Sequence, residues 1–372
     1  MKILYTVNTR MPTEMAHGLQ IMKMCEAFIK NGAELELIIP LRFKISNLGD
    51  PFEYYKIDKK FKIKKIFCFD LTPLNRFLGP VSFLIQALSF SFFSSIYLLF
   101  RKKDLIYSRD RFCLFFIGFF KKNIIFEIHK IHRYLDISIA KKVKKIIVVT
   151  RGLKKDLIKN NIKENKILVA SDGIDLDDFK IKESEQECRK KLNLPLDKKL
   201  VLYTGHLYSW KGVETLALAS KYVNGLVVIV GGIKWYLTNF KKFVKKNKLD
   251  VLVLGYKDYS LIPFYLKSSD CLVLCGTKRS TVSKKYTSPM KMFEYMASKK
   301  PIVASDLESF KEVLNNKNSI LVESDNEKAL ADGINKVLGD RNLAQKLSSQ
   351  AYLDVQKYTW DDRAKQILDF VI

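Results

Sequence analysis

The sequence predicts an α/β protein built from two doubly wound domains, each a parallel sheet covered by helices. Short apolar runs recur along the chain, such as "KILYTV", "LELIIP" and "KKIIVVT" in the first half and "LVLYTG", "GLVVIVGG" and "CLVLCG" in the second. They are rich in β-branched residues and do not alternate with polar residues, which is typical of strands buried on both faces. Longer amphipathic stretches separate them. A chain of 372 residues is long enough for two hydrophobic cores.

The alternating pattern pauses once. Residues 176–198 are polar and charged and contain Pro195, so we expect the interdomain connection near 180–196. The tail "YTWDDRAKQILDFVI" predicts a final amphipathic helix. Two doubly wound domains in tandem predict a cleft between the carboxyl ends of two parallel sheets, where such folds bind ligands.

Composition narrows the class of partner. The chain has 65 Lys and Arg against 39 Asp and Glu, a formal net charge of +26 that is spread over both halves. This charge favours anionic partners, either nucleic acid, a membrane surface or phosphorylated substrates, although a Lys-rich proteome explains it equally well. No stretch resembles a nucleic-acid-binding module, so nucleic acid is not an expected partner. The six cysteines lack zinc-ligand spacing and predict reduced, buried thiols of a cytoplasmic protein. "MKILYTV" lacks the long apolar region of a signal peptide.

Residues 81–100, "VSFLIQALSFSFFSSIYLLF", contain no charged residue and are followed by Arg-Lys-Lys. Their length fits a membrane span. However, the segment contains Gln86 and five serines, and the strand "DLIYSRD" follows almost at once. A helix of an α/β domain with a membrane-facing side therefore explains the segment better than a spanning helix does.

Two strand-to-helix turns supply candidate anion-binding residues. His17-Gly18 opens a helix, and glycine there permits close approach of the backbone to a phosphate; a plain loop-to-helix transition is the alternative. In "TGHLYSWKG" a strand ends at Gly205, and Lys211-Gly212 precedes a helix. A lysine at a helix entrance can hold a phosphate as a point charge, whereas an exposed lysine in a turn is the simpler alternative.

The stretch "SPMKMFEYMA" reads as a helix start with Ser288 as the N-cap and Pro289 at the first helical position. Lys291 in the first turn opposes the helix dipole unless an anion occupies the helix end. Glu294, three residues on, either pairs with Lys291 or accepts hydrogen bonds from ribose hydroxyls behind that anion. The spacing leaves both interpretations open.

His129 and His132 in "FEIHKIH" follow a strand, so at least one is expected near the cleft edge. Their spacing could serve a metal, but no carboxylate or cysteine cluster accompanies them, and we predict no metal site. His129 remains a candidate for contact with a substrate. No Gly-x-Ser-x-Gly elbow appears, so a serine nucleophile is not expected.

Several motifs together resemble glycosyltransferase family 4. "TGHLYSWKG", "VLVLGYKDYSLIPFYLKSSDCLVL" and "SPMKMFEYMASKKPIVASDLESFKEVL" are similar to the C-terminal half of that family, and "VVTRGLKKDLIKNNIKENKILVASDGIDLDDF" to its interdomain stretch. "HGLQIMKMCEAFIKNGAELELIIP" and "YTWDDRAKQIL" extend the resemblance over nearly the whole chain. It implies the GT-B fold, two Rossmann-like domains facing a cleft. The expected division is 1–180 on the acceptor side, 181–355 on the donor side, and a final helix, 356–372, that crosses back to the first domain.

The resemblance also implies an activity and the residues that carry it. The family transfers a sugar from a nucleotide diphosphate sugar, here UDP- or GDP-linked, with retention at the anomeric carbon and generally without a metal. By position in the motifs, Lys211 matches the phosphate-binding lysine, Glu294 the ribose-binding acid, Gly18 the loop near the diphosphate, and His129 a histidine near the transferred sugar. His129 and Lys211 are therefore the expected catalytic residues, and Gly18, His206, Lys211, Ser288, Lys291 and Glu294 the expected donor-binding residues.

Three departures from the family pattern stand out. Tyr286 occupies the place of the first acid of the Glu-x7-Glu motif, which commonly contacts the donor sugar. His206 replaces an arginine, and Ser-Pro-x-Lys before Phe-Glu-Tyr marks a subset of the family in which Lys291 takes over part of the role of the missing acid.

The resulting expectation is a metal-independent retaining hexosyltransferase without a cofactor, acting on a glycan or lipid-linked acceptor in cell-surface polysaccharide or glycolipid synthesis. The basic charge and residues 81–100 suggest a cytoplasmic protein bound peripherally to the anionic inner face of the cell membrane. The alternatives are a nucleotide-sugar epimerase on the same fold and a non-catalytic basic scaffold at the membrane.

Overall fold

A computed structural model describes residues 1–43, 48–101 and 104–372, which form two units. Unit 1 contains Met1–Asp172 together with Trp360–Ile372, and unit 2 contains Gly173–Thr359. Each unit has its own parallel sheet, with helices in most of the strand connections.

In unit 1, the described residues form a seven-stranded parallel sheet in the order β3-β2-β1-β4-β5-β6-β7. Its strands are β1 Lys2–Thr6, β2 Glu34–Pro40, β3 Lys62–Ile66, β4 Leu105–Ser108, β5 Ile124–Ile128, β6 Lys145–Val148 and β7 Ile167–Val169. Its helices are α1 Ala16–Lys30, α2 Pro51–Tyr54, α3 Asn75–Leu78, α4 Pro80–Leu99, α5 Arg111–Ile117, α6 Arg133–Lys142 and α7 Arg151–Lys159.

Unit 2 lies wholly within the described residues and has a six-stranded parallel sheet in the order β10-β9-β8-β11-β12-β13. Its strands are β8 Leu200–Thr204, β9 Leu226–Val230, β10 Val251–Gly255, β11 Cys271–Leu274, β12 Ile302–Ser305 and β13 Ile320–Val322. Its helices are α8 Glu185–Lys191, α9 Val213–Ala219, α10 Lys234–Lys246, α11 Ile262–Ser268, α12 Met290–Ala297, α13 Glu327–Gly339 and α14 Arg341–Val355. The last helix, α15 Trp360–Val371, belongs to unit 1, where it packs on α1.

The strand order reverses once in each sheet. In unit 1 the first strand, β1, lies between β2 and β4, and in unit 2 the first strand, β8, lies between β9 and β11. Ligands of doubly wound sheets bind outside the carboxyl ends of the strands at such a reversal. The residues that follow β1, β4, β8 and β11 are therefore the places to look for a site.

The boundary between the units falls at 172/173, earlier than the expected 180/181. Ile174 and Phe179 are buried in the core of unit 2, and Ile174 pairs with Thr359 in an isolated β-bridge. The polar composition of 176–198 thus marks surface chain of unit 2 rather than a linker. Similarly, unit 2 ends at Thr359, so the final segment of unit 1 begins at Trp360 rather than at position 356. All six cysteines are buried and unpaired, as predicted.

Candidate phosphate site in unit 2 and polar network in unit 1

Gly205 follows β8 at the reversal point of unit 2 and brings two distant motifs together. Its φ is +123°, and a Cβ atom at this position would lie 2.6 Å from Nζ of Lys291. A larger residue would have to displace the end of the lysine side chain and would also be strained by the positive φ. The glycine of "TGHLYSWKG" and the lysine of "SPMKMFEYMA" thus meet at the carboxyl end of β8.

Lys291 carries a buried ammonium group that has no hydrogen-bond partner among the described residues. It lies 3.7 Å from the centroid of the Tyr203 ring, a cation–π contact. Burial, followed by the charge of Lys211, lowers the pKa of Lys291 well below its ordinary value. Glu294 forms no ion pair with Lys291 within the described residues, so the structure contradicts the simple i,i+3 salt bridge. A buried, unpaired cation is costly and favours binding of an anion.

Lys211 and His206 lie close enough to Lys291 for their charges to interact. Besides burial, Lys211 lowers the pKa of Lys291, and Lys291 lowers the pKa of His206. Burial lowers the pKa of the half-buried Lys211 to about 8. Burial, Lys291 and Lys211 together lower the pKa of His206. The His206 ring stacks on Tyr208, and Lys211 Nζ lies 4.1 Å from the centroid of the Trp210 ring. We call Lys211, Lys291 and His206 the basic cluster. Its groups disfavour one another's protonation, and an anion would relieve that repulsion.

Ser288 does not have the predicted capping position. The helix α12 begins at Met290, its N-cap is Pro289 with a ψ of 125°, and the Met292 N–H donates to the Pro289 carbonyl over 2.8 Å. A π-helical turn, Val282–Tyr286, ends just upstream, so the connecting residues stay extended and the helix starts one residue later than expected. Lys291 is consequently at the second helical position, still within the first turn.

Glu294 is buried in the second turn of α12, with 7% of its surface exposed. Burial raises its pKa to about 7. The Tyr259 hydroxyl donates a hydrogen bond to Glu294 Oε1 over 3.2 Å. When it is ionised, the Glu294 carboxylate can accept further hydrogen bonds from hydroxyl groups besides that of Tyr259. Tyr286, which stands where the family has an acid, is the last residue of the π-helical turn. Such turns are rare and frequently occur at functional sites.

In unit 1, His129 follows β5 and contacts a buried carboxylate that accepts several hydrogen bonds. Its Nε2 is 2.7 Å from Oε1 of Glu127, a fully buried residue. Glu127 also accepts hydrogen bonds from Gln20 over 2.9 Å, from the Tyr107 hydroxyl over 2.6 Å and from Arg363 over 2.8 Å. Although burial opposes ionisation, Arg363 and His129 hold the pKa of Glu127 well below its ordinary value. The network fixes the orientation of the His129 ring.

Gly18 has a packing role that the sequence did not indicate. It lies in the first turn of α1, which begins at Ala16 rather than at His17-Gly18. A Cβ atom at Gly18 would lie 2.2 Å from the hydroxyl oxygen of Tyr55. That hydroxyl is held in place, since it accepts from the Thr13 N–H over 2.8 Å and donates to the Thr13 carbonyl over 2.7 Å. Tyr55 therefore occupies the space that a Cβ atom would need, so glycine is required at position 18.

Glu127 and Arg363 were missed from the sequence, although each leaves a local signal. Glu127 is an acid in the middle of the apolar run "NIIFEIH", and Arg363 is on the buried face of an amphipathic helix. Buried charges are rare unless they are paired. The described residues contain no group of three or more His, Cys, Asp or Glu side chains suited to a metal ion.

Residues 184–354 match the model of the family "Glycosyl transferases group 1". Among curated proteins, the chain is 27% identical over 237 residues to an uncharacterized glycosyltransferase of Methanocaldococcus jannaschii, covering 60% of this chain and 58% of that protein. It is 26% identical over 180 residues to the processive diacylglycerol alpha-glucosyltransferase of Acholeplasma laidlawii, covering 47% and 52% of the two chains. The chain thus spans less than two thirds of the length of these relatives.

Solved structures resemble the chain over nearly its full length. HepE of Anabaena in complex with UDP-glucose has a TM-score of 0.77 and 17% identity, covering 99% of this chain and 98% of that one. Sucrose-phosphate synthase of Thermosynechococcus elongatus has a TM-score of 0.78 and 16% identity, covering 99% and 97%. These neighbours confirm the predicted fold class, two Rossmann-like α/β domains of the GT-B type. The family model that matches residues 184–354 and the curated relatives named above are those of glycosyltransferases.

Proposed function

We propose that the protein is a retaining, metal-independent glycosyltransferase that moves a hexose from a UDP- or GDP-linked donor to a glycan or lipid-linked acceptor. The observation that carries the proposal is the buried, unpaired Lys291 ammonium against Gly205, beside Lys211 and His206. Three basic groups in one place suit the two phosphates of a nucleotide diphosphate. HepE has been crystallised with UDP and with UDP-glucose, which agrees with a donor of this kind.

The basic cluster would stabilise negative charge most strongly while the bond between the sugar and the diphosphate is cleaved. As the bond between the anomeric carbon and the phosphate oxygen cleaves, negative charge develops on the departing diphosphate, and Lys211 and Lys291 stabilise it without a metal ion. The acceptor hydroxyl attacks the same face of the sugar and passes its proton to the departing phosphate oxygen. Retention follows from this front-face geometry. Glu294 accepts hydrogen bonds from the ribose hydroxyls, and His129, oriented by Glu127, contacts the transferred sugar.

The acceptor and the place of action complete the proposal. We assign the enzyme to the cytoplasmic face of the cell membrane and to the synthesis of a surface polysaccharide or glycolipid. The name of the Acholeplasma relative states a diacylglycerol acceptor, and that of a Bacillus subtilis relative states teichuronic acid biosynthesis. The net charge of +26 is suited to an anionic membrane.

Two ligands separate the phosphate and ribose parts of the site. Isothermal titration with UDP and with inorganic pyrophosphate should show that Lys291→Met weakens both, because both present phosphates to the basic cluster. Glu294→Ala should weaken UDP and leave pyrophosphate unchanged, because pyrophosphate has no ribose. Lys336→Met, an exposed lysine on α13, is the matched control and should change neither. If both site variants bind UDP as the wild type does, the site assignment fails.

Turnover of UDP-sugars without an acceptor would support an epimerase instead.

A further inference from the structure

The helix α4 exposes apolar residues and buries polar ones, the reverse of an ordinary helix on a protein surface. Every exposed residue of α4 is apolar, and apart from Pro80 all are large hydrophobic residues: Val81, Phe83, Leu84, Ile85, Leu88, Phe92 and Ile96. We call these seven the outer face. Of the eight buried residues, five are polar: Ser82, Gln86, Ser91, Ser94 and Ser95. A helix packed on a protein core normally buries its apolar stripe and exposes its polar one.

The buried polar face is bonded to unit 1 and keeps α4 attached to it. Gln86 donates to Asn8, the second residue after β1, over 3.0 Å. The Ser94 hydroxyl lies 3.5 Å from Sγ of Cys113, and the Ser95 hydroxyl lies 3.5 Å from the Cys113 carbonyl. One helix of the described residues, α4, is long and apolar enough to cross a membrane, but 44% of its most apolar window is buried in the protein. Crossing a bilayer would require these contacts to break, so α4 does not act as a span.

The outer face continues into a larger apolar patch. Phe67 and Phe69 follow β3 and are both exposed, and their rings contact Phe93 at centroid distances of 5.3 and 6.2 Å. Phe93 in turn contacts Phe92 of the outer face at 5.4 Å. Phe77 of α3 is 82% exposed just before α4. A continuous exposed apolar surface of this extent marks an interaction site.

Basic side chains lie around this patch. Arg76 is exposed on α3 beside Phe77. Lys64 is exposed on the edge strand β3, with its Nζ 5.8 Å from the Tyr97 ring of α4. Aromatic and aliphatic side chains bordered by cations fit a bilayer surface, with rings at the level of the acyl chains and cations at anionic headgroups. A second copy would fit poorly, because a two-fold pairing would bring these cations together in a chain of net charge +26.

We infer that α4 and its apolar patch lie in the interface of an anionic lipid bilayer, parallel to its surface, with the outer face in the acyl region. The role of this membrane contact rests on the proposed function. Gln86 connects α4 to the residues after β1, at the carboxyl edge of the sheet. An acceptor held in the membrane would therefore lie near that edge. The inference therefore favours a lipid-linked acceptor over a soluble glycan.

The test measures binding of the full chain to vesicles of phosphatidylcholine alone and of phosphatidylcholine mixed with phosphatidylglycerol. The wild type should float with the mixed vesicles. Leu88→Gln/Phe92→Gln should lower the partition coefficient about tenfold or more, because two large apolar side chains lose their burial. Leu353→Gln, an exposed leucine on α14 of unit 2, is the matched control and should bind as the wild type does. Arg76→Gln should lower binding to the mixed vesicles about fivefold and leave binding to phosphatidylcholine unchanged.

Any of four results would overturn the inference. The wild type could remain in solution with both kinds of vesicle, or the double variant could bind as well as the wild type. Sedimentation velocity could show a dimer that the double variant dissociates while vesicles bind neither protein, which would make a second copy the occupant. Alkaline carbonate could fail to release the bound protein, which would indicate a span. UDP affinity of the double variant should equal that of the wild type, so membrane binding and the nucleotide site are tested separately.

Discussion

Two buried charged side chains, Glu127 in unit 1 and Lys291 in unit 2, differ in how their charges are balanced. In unit 1, the Glu127 carboxylate accepts hydrogen bonds from Gln20, Tyr107 and Arg363 and contacts His129, and its charge is matched by Arg363. In unit 2, Lys291 has a buried ammonium without a hydrogen-bond partner among the described residues, and its pKa is depressed. The balanced charge of Glu127 stabilises the fold, whereas at the unbalanced charge of Lys291 we expect a ligand of opposite charge to bind.

The largest expected effect comes from breaking the balanced network. Arg363→Met removes the cation paired with Glu127 and leaves a buried carboxylate, so the free energy of unfolding should fall by about 3–5 kcal/mol. Urea denaturation of both variants and wild type measures the change. The control is Lys311→Met, which removes an exposed ion pair with Asp306 and should change stability little. A loss no greater than that of the control would show that the network is not balanced as described.

The second effect is on binding and comes from the unbalanced cluster. Lys291→Met should weaken UDP about 10- to 100-fold, because hydrogen bonds to charged groups contribute about 1.5–3 kcal/mol each. Isothermal titration at constant ionic strength measures it. An affinity within twofold of the wild type would place the diphosphate elsewhere.

The pH dependence of UDP binding reports on the charge of Lys211. Protonated Lys211 binds the diphosphate, and its pKa in the free protein is about 8, so the charge is present below that pH and is lost above it. As Lys211 loses its charge, the affinity for UDP should fall between about pH 8 and 9, by up to about tenfold per pH unit, and Lys211 should take up a proton on binding. The arginine of Lys211→Arg keeps its charge throughout this range, so the UDP affinity of this variant should fall much less as the pH rises. A flat profile for the wild type would contradict the assigned state of Lys211.

The smallest effect lies after α12. Lys299 has a φ of +58°, a left-handed conformation that favours glycine at the end of a helix. Lys299→Gly should raise the free energy of unfolding by about 0.5–1 kcal/mol. The gain is reduced by loss of the contact between Lys299 Nζ and the Tyr352 ring, at 4.1 Å from its centroid. Thermal unfolding of the two proteins in parallel would detect it, and a destabilised variant would show that this contact outweighs the backbone strain.

Local sequence patterns predicted the two parallel sheets and indicated Lys211 and Lys291 as candidate anion-binding residues. They could not predict partners far apart in the chain. Arg363 is 236 residues from Glu127, and Tyr55, which makes Gly18 necessary, is 37 residues from it. The start of α12 was misplaced by one residue because the π-helical turn upstream has no clear sequence signature. The inverted faces of α4 also depend on packing, since composition alone does not say which side is buried.

The most direct test of the unbalanced cluster is the stability of Lys291→Met with and without UDP, measured by urea denaturation. Without UDP, the variant should be more stable than the wild type by about 1 kcal/mol or more, because a buried unpaired charge is replaced by an apolar side chain of similar length. With saturating UDP the order should reverse, because the wild type gains more binding free energy. A variant that is less stable than the wild type in both conditions, by the same amount, would contradict the account.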